Sequence, residues 1–249
     1  MNSNAKIVHE KYHAKTGKSH KIIKDNNFTY RLLIQTLRST IKKGANILDI
    51  GCGAGTISFY LASKGHKVTG IDISKKAIQA CKESATNLLL EIDFRVIDFP
   101  NENIRSSFDV VVFTEVIEHL ENDKKALKQI HKLLNMNGLL ILSTPSAGAP
   151  LHKLGLTHKF DKEVGHLRRY SASSLEKILA ETDFKVMSIR KTEGILRNFL
   201  FVNPVAGRLV RYIKFFLSDW VTFLDNISLS LFGESNYIIV AKKIEKKKK

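Results

Sequence analysis

The chain contains little cysteine, since only Cys52 and Cys81 occur among its 249 residues. Two cysteines cannot build the disulfide framework of a small secreted domain, and they do not have the spacing of a metal knuckle. The first 24 residues are polar and basic and lack the apolar core of a signal peptide. These absences argue against the secreted classes and predict a cytoplasmic protein.

Acidic residues are also scarce relative to basic ones, with 24 Asp and Glu against 40 Lys and Arg and a formal net charge of +16 at pH 7. Such a charge attracts nucleic acid, anionic lipid or acidic substrates. The lysines are spread over nearly every segment, however, and no RNA-binding module or basic strand rich in aromatic residues is apparent. The charge therefore gives only modest support to a nucleic-acid partner.

Short apolar segments alternate with helical patterns along most of the chain. This alternation predicts a Rossmann-like, doubly wound α/β sheet of about seven strands. We expect an N-terminal arm over residues 1–27 and one domain over 28–249, with a helix at 28–41 before the first strand and another at 120–134 after the fourth. The predicted strands are at 46–50, 67–72, 92–97, 108–113, 139–143, 184–189 and 236–241.

The stretch around which the chain is organised is Asn-Ile-Leu-Asp-Ile-Gly-Cys-Gly-Ala-Gly, at 46–55. A strand, a glycine turn and a helix together cradle a cofactor, because the missing side chains let a ligand approach the backbone. A dinucleotide fingerprint needs a glycine where this chain has Thr56, so a nicotinamide cofactor is the second choice. A tight turn with no ligand is the simpler alternative.

This turn resembles motif I of class I S-adenosylmethionine-dependent methyltransferases, especially those of the ubiquinone-biosynthesis O-methyltransferase type. The resemblance implies a mostly parallel sheet with an antiparallel last strand. It also implies that an acid and the turn hold the methionine end of S-adenosylmethionine. The matching positions are Asp49, Gly51, Cys52, Gly53 and Gly55.

Acids also follow the second and third predicted strands. Asp72 comes about 20 residues after the glycine turn, where a nucleoside-binding unit places a carboxylate for ribose hydroxyls. Ile73 beside it and Glu115 after the fourth strand are further expected cofactor contacts. The resemblance implies that Asp98 contacts the adenine amino group. Pro100 and Asn101 nearby would equally suit a simple turn acid.

A second group of polar residues, Glu115, Glu118 and His119, follows the fourth strand at the carboxyl edge of the sheet. In a helical turn these three side chains would share one face, where they would bind a cation or serve acid-base chemistry. An exposed helix start is the alternative. The run Glu-Val-Ile-Glu-His is similar to one in ubiquinone-biosynthesis and small-RNA 2′-O-methyltransferases. There the run ligates a divalent metal such as Mg²⁺, whereas other methyltransferases carry the same letters with no established metal.

A fourth ligand would come from a long loop expected at 144–170, in which His152, His158 and His166 are candidates. We choose His166, because Gly-His-Leu-Arg-Arg-Tyr-Ser resembles a stretch found in many such enzymes. The expected metal ligands are thus Glu115, Glu118, His119 and His166. Either His119 or His166 accepts the proton of the acceptor hydroxyl, or a metal lowers the pKa of that hydroxyl.

Residues 194–233 form an apolar insertion between the last two predicted strands. Charged residues such as Arg211, Lys214 and Asp225 interrupt it, so it does not read as a membrane span. It is either a lid or dimer element, or an interfacial helix at an anionic membrane surface. Its apolar positions at helical spacing are Val202, Val205, Leu209, Ile213, Phe216, Trp220, Phe223, Ile227 and Leu231.

The leading hypothesis is O-methylation of a hydroxyl on a small or lipid-linked acceptor, such as a quinone precursor or a glycolipid. RNA 2′-O-methylation fits the charge and the Glu-Val-Ile-Glu-His run, but the apolar insertion is unlike a nucleic-acid platform. A non-catalytic partner protein that binds S-adenosylmethionine is the third hypothesis.

Overall fold

The computed structural model describes residues 21–203 and 220–245. Its centre is one sheet of seven strands: β1 Asn46–Ile50, β2 Lys67–Asp72, β3 Ile92–Val96, β4 Phe108–Thr114, β5 Leu134–Pro145, β6 Phe184–Thr192 and β7 Asn236–Lys243. The strands lie side by side in the order β3-β2-β1-β4-β5-β7-β6. All pairs are parallel except those of β7, which runs antiparallel to both β5 and β6. The predicted fold class is therefore confirmed.

Helices cover both faces of this sheet, because successive apolar side chains of its central strands point to opposite faces. Val111 and Phe113 of β4 pack on the face covered by the helices Asp123–Leu133 and Ala172–Glu181. Val110 and Val112 pack on the face covered by Arg31–Thr40 and Thr56–Ser63. The chain order reverses between β1 and β4, so a crevice opens at the carboxyl ends of these strands. Further helices are Lys75–Asn87, Pro150–Lys153, His158–Val164, Ile195–Val202 and residues 220–232.

Several boundaries differ from the sequence-based predictions. The helix expected from residue 28 begins at Arg31, since the Asn27 carboxamide oxygen first accepts the backbone N–H groups of Thr29 and Tyr30. The helix expected from residue 120 begins at Asp123, where the Asn122 side chain caps it. The segment 144–170, expected as a loop, contains two short helices. At Asp123 a side-chain cap, rather than apolar spacing, sets the helix boundary.

The insertion contributes two described helices, Ile195–Val202 and residues 220–232, and the start of the first contacts the second around Asp225. Asp225 joins them, because its carboxylate accepts the backbone N–H groups of Gly194 at 2.9 Å and Arg197 at 2.8 Å. A side chain at Gly194 would meet the Ser228 hydroxyl at 2.1 Å, so the contact requires glycine. Among the described helices, none combines the length and apolarity needed to cross a bilayer. The arm up to residue 20, and Val205, Leu209, Ile213 and Phe216 of the insertion, lie outside the described residues.

Candidate active site

A cavity of about 580 Å³ opens at the carboxyl edge of the sheet. One end of it, the cofactor half, is lined by the residues that follow β1 and β2, including Gly51, Cys52, Gly53, Asp72 and Ile73. The other end, the acceptor half, is lined by residues from β4, the 144–170 segment, β6 and the insertion. These include Glu115, His119, His166, Arg169, Glu193, Arg197, Asn198, Ser235 and Asn236. The division follows the switch point of the sheet.

The cofactor half is built on backbone groups. Gly51, Gly53 and Gly55 have φ angles of +72°, +52° and +75°, a conformation that residues with a side chain rarely adopt. A Cβ at Gly51 would lie 2.4 Å from a Val116 methyl, so the turn has no room for one. The N–H groups of Gly51 and Cys52 both donate to the Ile71 carbonyl at 2.8 and 3.0 Å, which fastens the turn to β2.

Two acids stand beside this turn. The Asp72 carboxylate accepts the backbone N–H of Gly53 at 2.9 Å and that of Ser74 at 2.8 Å. Asp49 is buried and accepts the Ser58 hydroxyl at 2.6 Å. Burial, with a smaller effect from the charge of Asp72, raises the pKa of Asp49 to about 6, although the Ser58 hydrogen bond opposes the rise. Both carboxylates line the cavity where the sequence predicted cofactor contacts.

Asp98 takes a different position. Its neighbours Ile97 and Phe99 line the cavity, but Asp98 is not among the described residues that do. Its carboxylate accepts the Asn101 amide at 3.1 Å, and its carbonyl accepts the backbone N–H groups of Asn101 and Glu102. This arrangement is that of a turn acid, the alternative given by Pro100 and Asn101. Contact with adenine stays a prediction.

Glu115 faces away from the other residues of its run. Its φ angle is +55°, so the single helical face expected for Glu115, Glu118 and His119 does not form. One carboxylate oxygen of Glu115 accepts both the Ser143 hydroxyl at 2.6 Å and the Asn236 amide at 3.0 Å. Glu115 thus lines the cavity between the two halves, tied to β5 and β7.

Glu118, His119 and His166 come together, with one ligand atom from each lying within 4.8 Å of the others. Glu118 is fully buried, and its Oε2 accepts the Thr144 hydroxyl at 3.0 Å. Its Oε1 has no hydrogen-bond partner in the described part of the chain and lies 3.9 Å from the His166 Nε2. Burial, followed by the negative charge of Glu115, raises the pKa of Glu118 well above its ordinary value.

Both imidazoles are oriented through their Nδ1 atoms. The His119 Nδ1 lies 3.1 Å from the Gly165 carbonyl oxygen, and the His166 Nδ1 lies 2.8 Å from the Asp161 carboxylate. A carbonyl and an ionised carboxylate only accept hydrogen bonds, so each Nδ1 carries the proton. In a neutral ring of this tautomer, the Nε2 carries the lone pair that binds a proton or a metal ion.

Asp161 is a functional candidate that sequence reasoning missed. It lies in His158–Val164 and also accepts two hydrogen bonds from the Arg169 guanidinium, at 2.6 and 3.0 Å. Although burial acts in the opposite direction, the hydrogen bonds from His166 and Arg169 lower the pKa of Asp161. The available signal was its place, close to His166, within a segment too long to be an idle loop.

Glu193, Arg197 and Asn198 are also missed residues, and they line the far end of the acceptor half. Sequence reasoning treated Arg197 and Asn198 only as part of an apolar insertion and did not single out Glu193 just before it. The signal that could have found them is the polar pair Arg197-Asn198 inside an otherwise apolar helix, Ile195–Val202.

Comparisons with known proteins agree with this geometry. A family profile described as a methyltransferase domain matches residues 24–189, which is more than half of the chain. The chain therefore belongs to this family, and its sheet order is that of class I S-adenosylmethionine-dependent methyltransferases.

The curated relatives include ubiquinone biosynthesis O-methyltransferases. The protein from Pelagibacter ubique is 36% identical over 110 residues, which cover 43% of this chain and 46% of the relative. The protein from Idiomarina loihiensis is 26% identical over 166 residues, covering 66% of this chain and 68% of the relative. The aligned regions span slightly less than half the length of the first curated relatives.

Solved structures share the fold at low sequence identity. A coclaurine N-methyltransferase bound to N-methylheliamine and S-adenosylhomocysteine superposes with a TM-score of 0.65 at 17% identity, covering 98% of this chain and 79% of that one. The Haemonchus contortus phosphoethanolamine N-methyltransferase 2 with S-adenosylmethionine gives a TM-score of 0.64 at 18% identity, covering 87% and 53%. These similarities establish the fold alone.

Proposed function

We propose that this chain transfers the methyl group of S-adenosylmethionine to a hydroxyl of a small or lipid-linked acceptor. The observation that carries the proposal is the cluster of Glu118, His119 and His166 beside the same cavity as the glycine turn. The O-methyltransferase names of the curated relatives support oxygen as the methylated atom. The cofactor half would hold the donor, and the acceptor half the hydroxyl.

Methyl transfer to oxygen requires that the hydroxyl lose its proton while it is held in line with the methyl group. The lone pair on Nε2 of His119 or His166 is the base that the geometry offers. Asp161 would stabilise the imidazolium form of His166, because the carboxylate lies 2.8 Å from the Nδ1.

The same cluster fits a divalent metal ion. The Glu118 Oε1 is a buried oxygen without a partner in the described residues, and the two imidazoles have their Nδ1 atoms held by acceptors, as metal-ligating histidines do. Glu118, His119 and His166 would hold the ion, whereas Glu115 is directed at Ser143 and Asn236. A bound divalent ion supplies Lewis acidity that lowers the pKa of a hydroxyl.

A labelled-methyl assay tests the proposal. The purified protein is incubated with methyl-labelled S-adenosylmethionine and with lipid, RNA or small-molecule extracts, each with and without a chelator. We expect label in an alkali-stable methyl ether in the lipid or small-molecule fraction, and loss of that label when the chelator removes the metal. Label confined to RNA would establish the 2′-O-methylation alternative, and cofactor binding without transfer to any fraction would establish the non-catalytic one.

The insertion supports a lipid-linked acceptor. On residues 220–232, large apolar side chains at helical spacing are exposed: Trp220 65%, Phe223 57%, Leu224 52%, Ile227 43% and Leu231 70%. Through Asp225 this helix contacts Ile195–Val202, which lines the acceptor half. With the net charge of +16, we propose that this apolar stripe lies on an anionic membrane surface.

Vesicle flotation tests this second proposal. Anionic vesicles should carry the protein, and Phe223→Ser with Ile227→Ser should release it, whereas Met136→Ser, at an exposed apolar site elsewhere, should not. Trp220 is the only tryptophan, so its emission should shift to the blue on binding. If residues 220–232 are instead part of a lid or a dimer interface, the protein should not bind vesicles. In the dimer case, the wild-type protein should be dimeric and the double substitution should dissociate it.

A further inference from the structure

Four side chains of the acceptor half each carry a buried polar atom without a partner. We name them the distal polar cluster: Arg197, Asn198, Ser235 and Asn236. The atoms are the Arg197 Nε, the Asn198 Oδ1, the Ser235 Oγ and the Asn236 Oδ1, for which no described residue provides a hydrogen bond. Arg197 and Ser235 are each 1% exposed and Asn198 is 8% exposed. All four residues line the cavity.

The fold places these residues together at the ends of β6 and β7. Arg197 and Asn198 lie in the first turns of Ile195–Val202, which begins directly after β6. The Ser235 N–H donates to the Glu193 carbonyl at 2.7 Å, which joins the start of β7 to the same place. The Asn236 amide N–H is already used on Glu115 at 3.0 Å, so its Oδ1 is the atom left over.

Buried polar groups in native proteins nearly always have a partner, because leaving one unpaired forfeits its hydration without compensation. Five buried side-chain atoms without a hydrogen bond in the described residues belong to residues that line this cavity or to Glu118 beside it. Such a concentration is expected where a polar ligand completes the hydrogen bonding.

The types of these atoms indicate the kind of ligand. The cluster offers one N–H donor, two amide oxygens that accept, and one hydroxyl that does both. An oxyanion would pair with the donors and leave the amide oxygens unpaired, and an ammonium group would do the reverse. Neighbouring hydroxyl groups both donate and accept, so they can satisfy all four atoms.

The charges near the cluster agree with a neutral ligand. The Arg197 Nε lies 3.8 Å from the Asp225 carboxylate, which offsets the guanidinium charge, and the guanidinium stacks over Phe28 at 4.4 Å. Burial, followed by the charge of Glu115, raises the pKa of Glu193 to about 8. Glu193 is then protonated near neutral pH and adds a hydrogen-bonding group instead of a charge.

We infer that the distal polar cluster binds the hydroxyl groups of a neutral polyhydroxylated head group, a sugar or a glycerol unit, on the acceptor. The inference rests on the proposed function, because it assumes that the acceptor occupies this cavity. It separates a glycolipid-like acceptor from a quinone precursor, whose aromatic ring offers fewer hydroxyl groups.

Binding experiments on the full chain, saturated with S-adenosylhomocysteine, test the inference. The probes are octyl glucoside, 1-octylglycerol, octyl phosphate and 4-octylcatechol, each below its micelle concentration and titrated by calorimetry. We expect the glucoside or the glycerol ether to bind about tenfold more tightly than the other two. The better of these two identifies the source of the hydroxyl groups. Equal or tighter binding of the phosphate or the catechol would overturn the inference.

Variants separate a binding role from a structural one. Asn198→Leu and Ser235→Ala should weaken binding of the preferred probe about tenfold, because each removes a hydrogen-bonding atom. Without the probe, both variants should unfold at the wild-type temperature or above it, since each replaces an unpaired polar group. Ser230→Ala, at an exposed serine on residues 220–232, is the matched control. Unchanged probe binding in both variants would overturn the inference.

The Glu118→Gln variant distinguishes failure of this inference from failure of the proposed function. It should bind the preferred probe as the wild type does, because Glu118 is not part of the distal polar cluster. Probe binding together with full methyl transfer by this variant would contradict the role of Glu118 in the proposed function and leave the inference standing. Loss of methyl transfer, without any preference for the hydroxylated probes, would overturn the inference and leave the proposed function standing.

Discussion

The two halves of the cavity differ in how their polar groups are satisfied. In the cofactor half, Asp72 holds the Gly53 N–H and Asp49 holds the Ser58 hydroxyl, so the turn is already fastened. In and beside the acceptor half, the Glu118 Oε1 and the Arg197 Nε have no hydrogen-bond partner among the described residues. The first half is assembled by the protein itself, whereas the second has polar atoms that an acceptor or a metal ion would complete.

The halves also differ in where backbone strain falls. The left-handed positions of the cofactor half are glycines, which adopt them at little cost. In the acceptor half, Glu115 and Glu193 have φ angles of +55° and +58°, although a residue with a side chain loses about 1–2 kcal/mol there. Strain of this kind persists where the surrounding structure fixes it, and it is common at functional sites.

Among substitutions that test the difference between the two halves of the cavity, the largest effect is expected at Gly51. In Gly51→Ala, the new Cβ would combine a φ of +72° with a 2.4 Å approach to Val116, so we expect cofactor affinity to fall by about 100-fold or more. Gly44→Ala is the control, because its φ is +75° but nothing lies within 4 Å. Gly44→Ala should lose about 1 kcal/mol of stability and no cofactor affinity in calorimetry. Equal affinity in both variants would show that the turn does not hold the cofactor.

A smaller effect is expected at Asp161, which acts through His166. Asp161→Asn should lower kcat about 10- to 100-fold, since loss of the carboxylate leaves the His166 ring without its orienting partner. Affinity for S-adenosylhomocysteine should stay the same, and the pH profile of kcat should change. Asp93→Asn, at an exposed acid paired with Arg95, serves as the control. A pH profile of kcat identical to that of the wild type would leave Asp161 with a structural role only.

The smallest effect concerns the pH dependence of stability. The pKa of Glu193 is about 8 in the folded chain against a reference of 4.5, so between these values the folded state holds the extra proton. The contribution of Glu193 to the free energy of unfolding is therefore intact below about pH 4.5 and is lost as the pH rises towards about 8. Glu193→Gln removes this loss, and above about pH 8 it should be more stable by on the order of 1 kcal/mol. Thermal unfolding of the wild type and Glu193→Gln across this pH range measures the difference in stability, with Glu163→Gln as an exposed control. Parallel curves of stability against pH for all three proteins would contradict the raised pKa.

The cofactor half could be predicted from sequence because its parts are local. Asp49 and the glycines at 51, 53 and 55 lie within one strand–turn–helix unit, and Asp72 ends the next strand. Apolar alternation predicted the sheet, while resemblance supplied its order. Helix boundaries were less accurate, because side-chain caps such as Asn122 override apolar spacing.

The acceptor half was predicted less completely because contacts between distant segments determine it. The conformation of Glu115 depends on Ser143 and Asn236, which are 28 and 121 positions away. Asp161 and Arg197 gained their roles from neighbours that periodicity does not reveal. The sequence indicated Glu118, His119 and His166 because two short motifs, far apart in the chain, contain them.

The most direct test of the account compares cofactor binding and methyl transfer in the wild type and in Glu118→Gln. Glutamine keeps the size of the side chain but cannot serve as a carboxylate beside His119 and His166. We expect S-adenosylmethionine to bind with unchanged affinity, within about twofold, while the transfer rate falls by about 100-fold or more. Full transfer by this variant, or loss of cofactor affinity equal to the loss of rate, would contradict it.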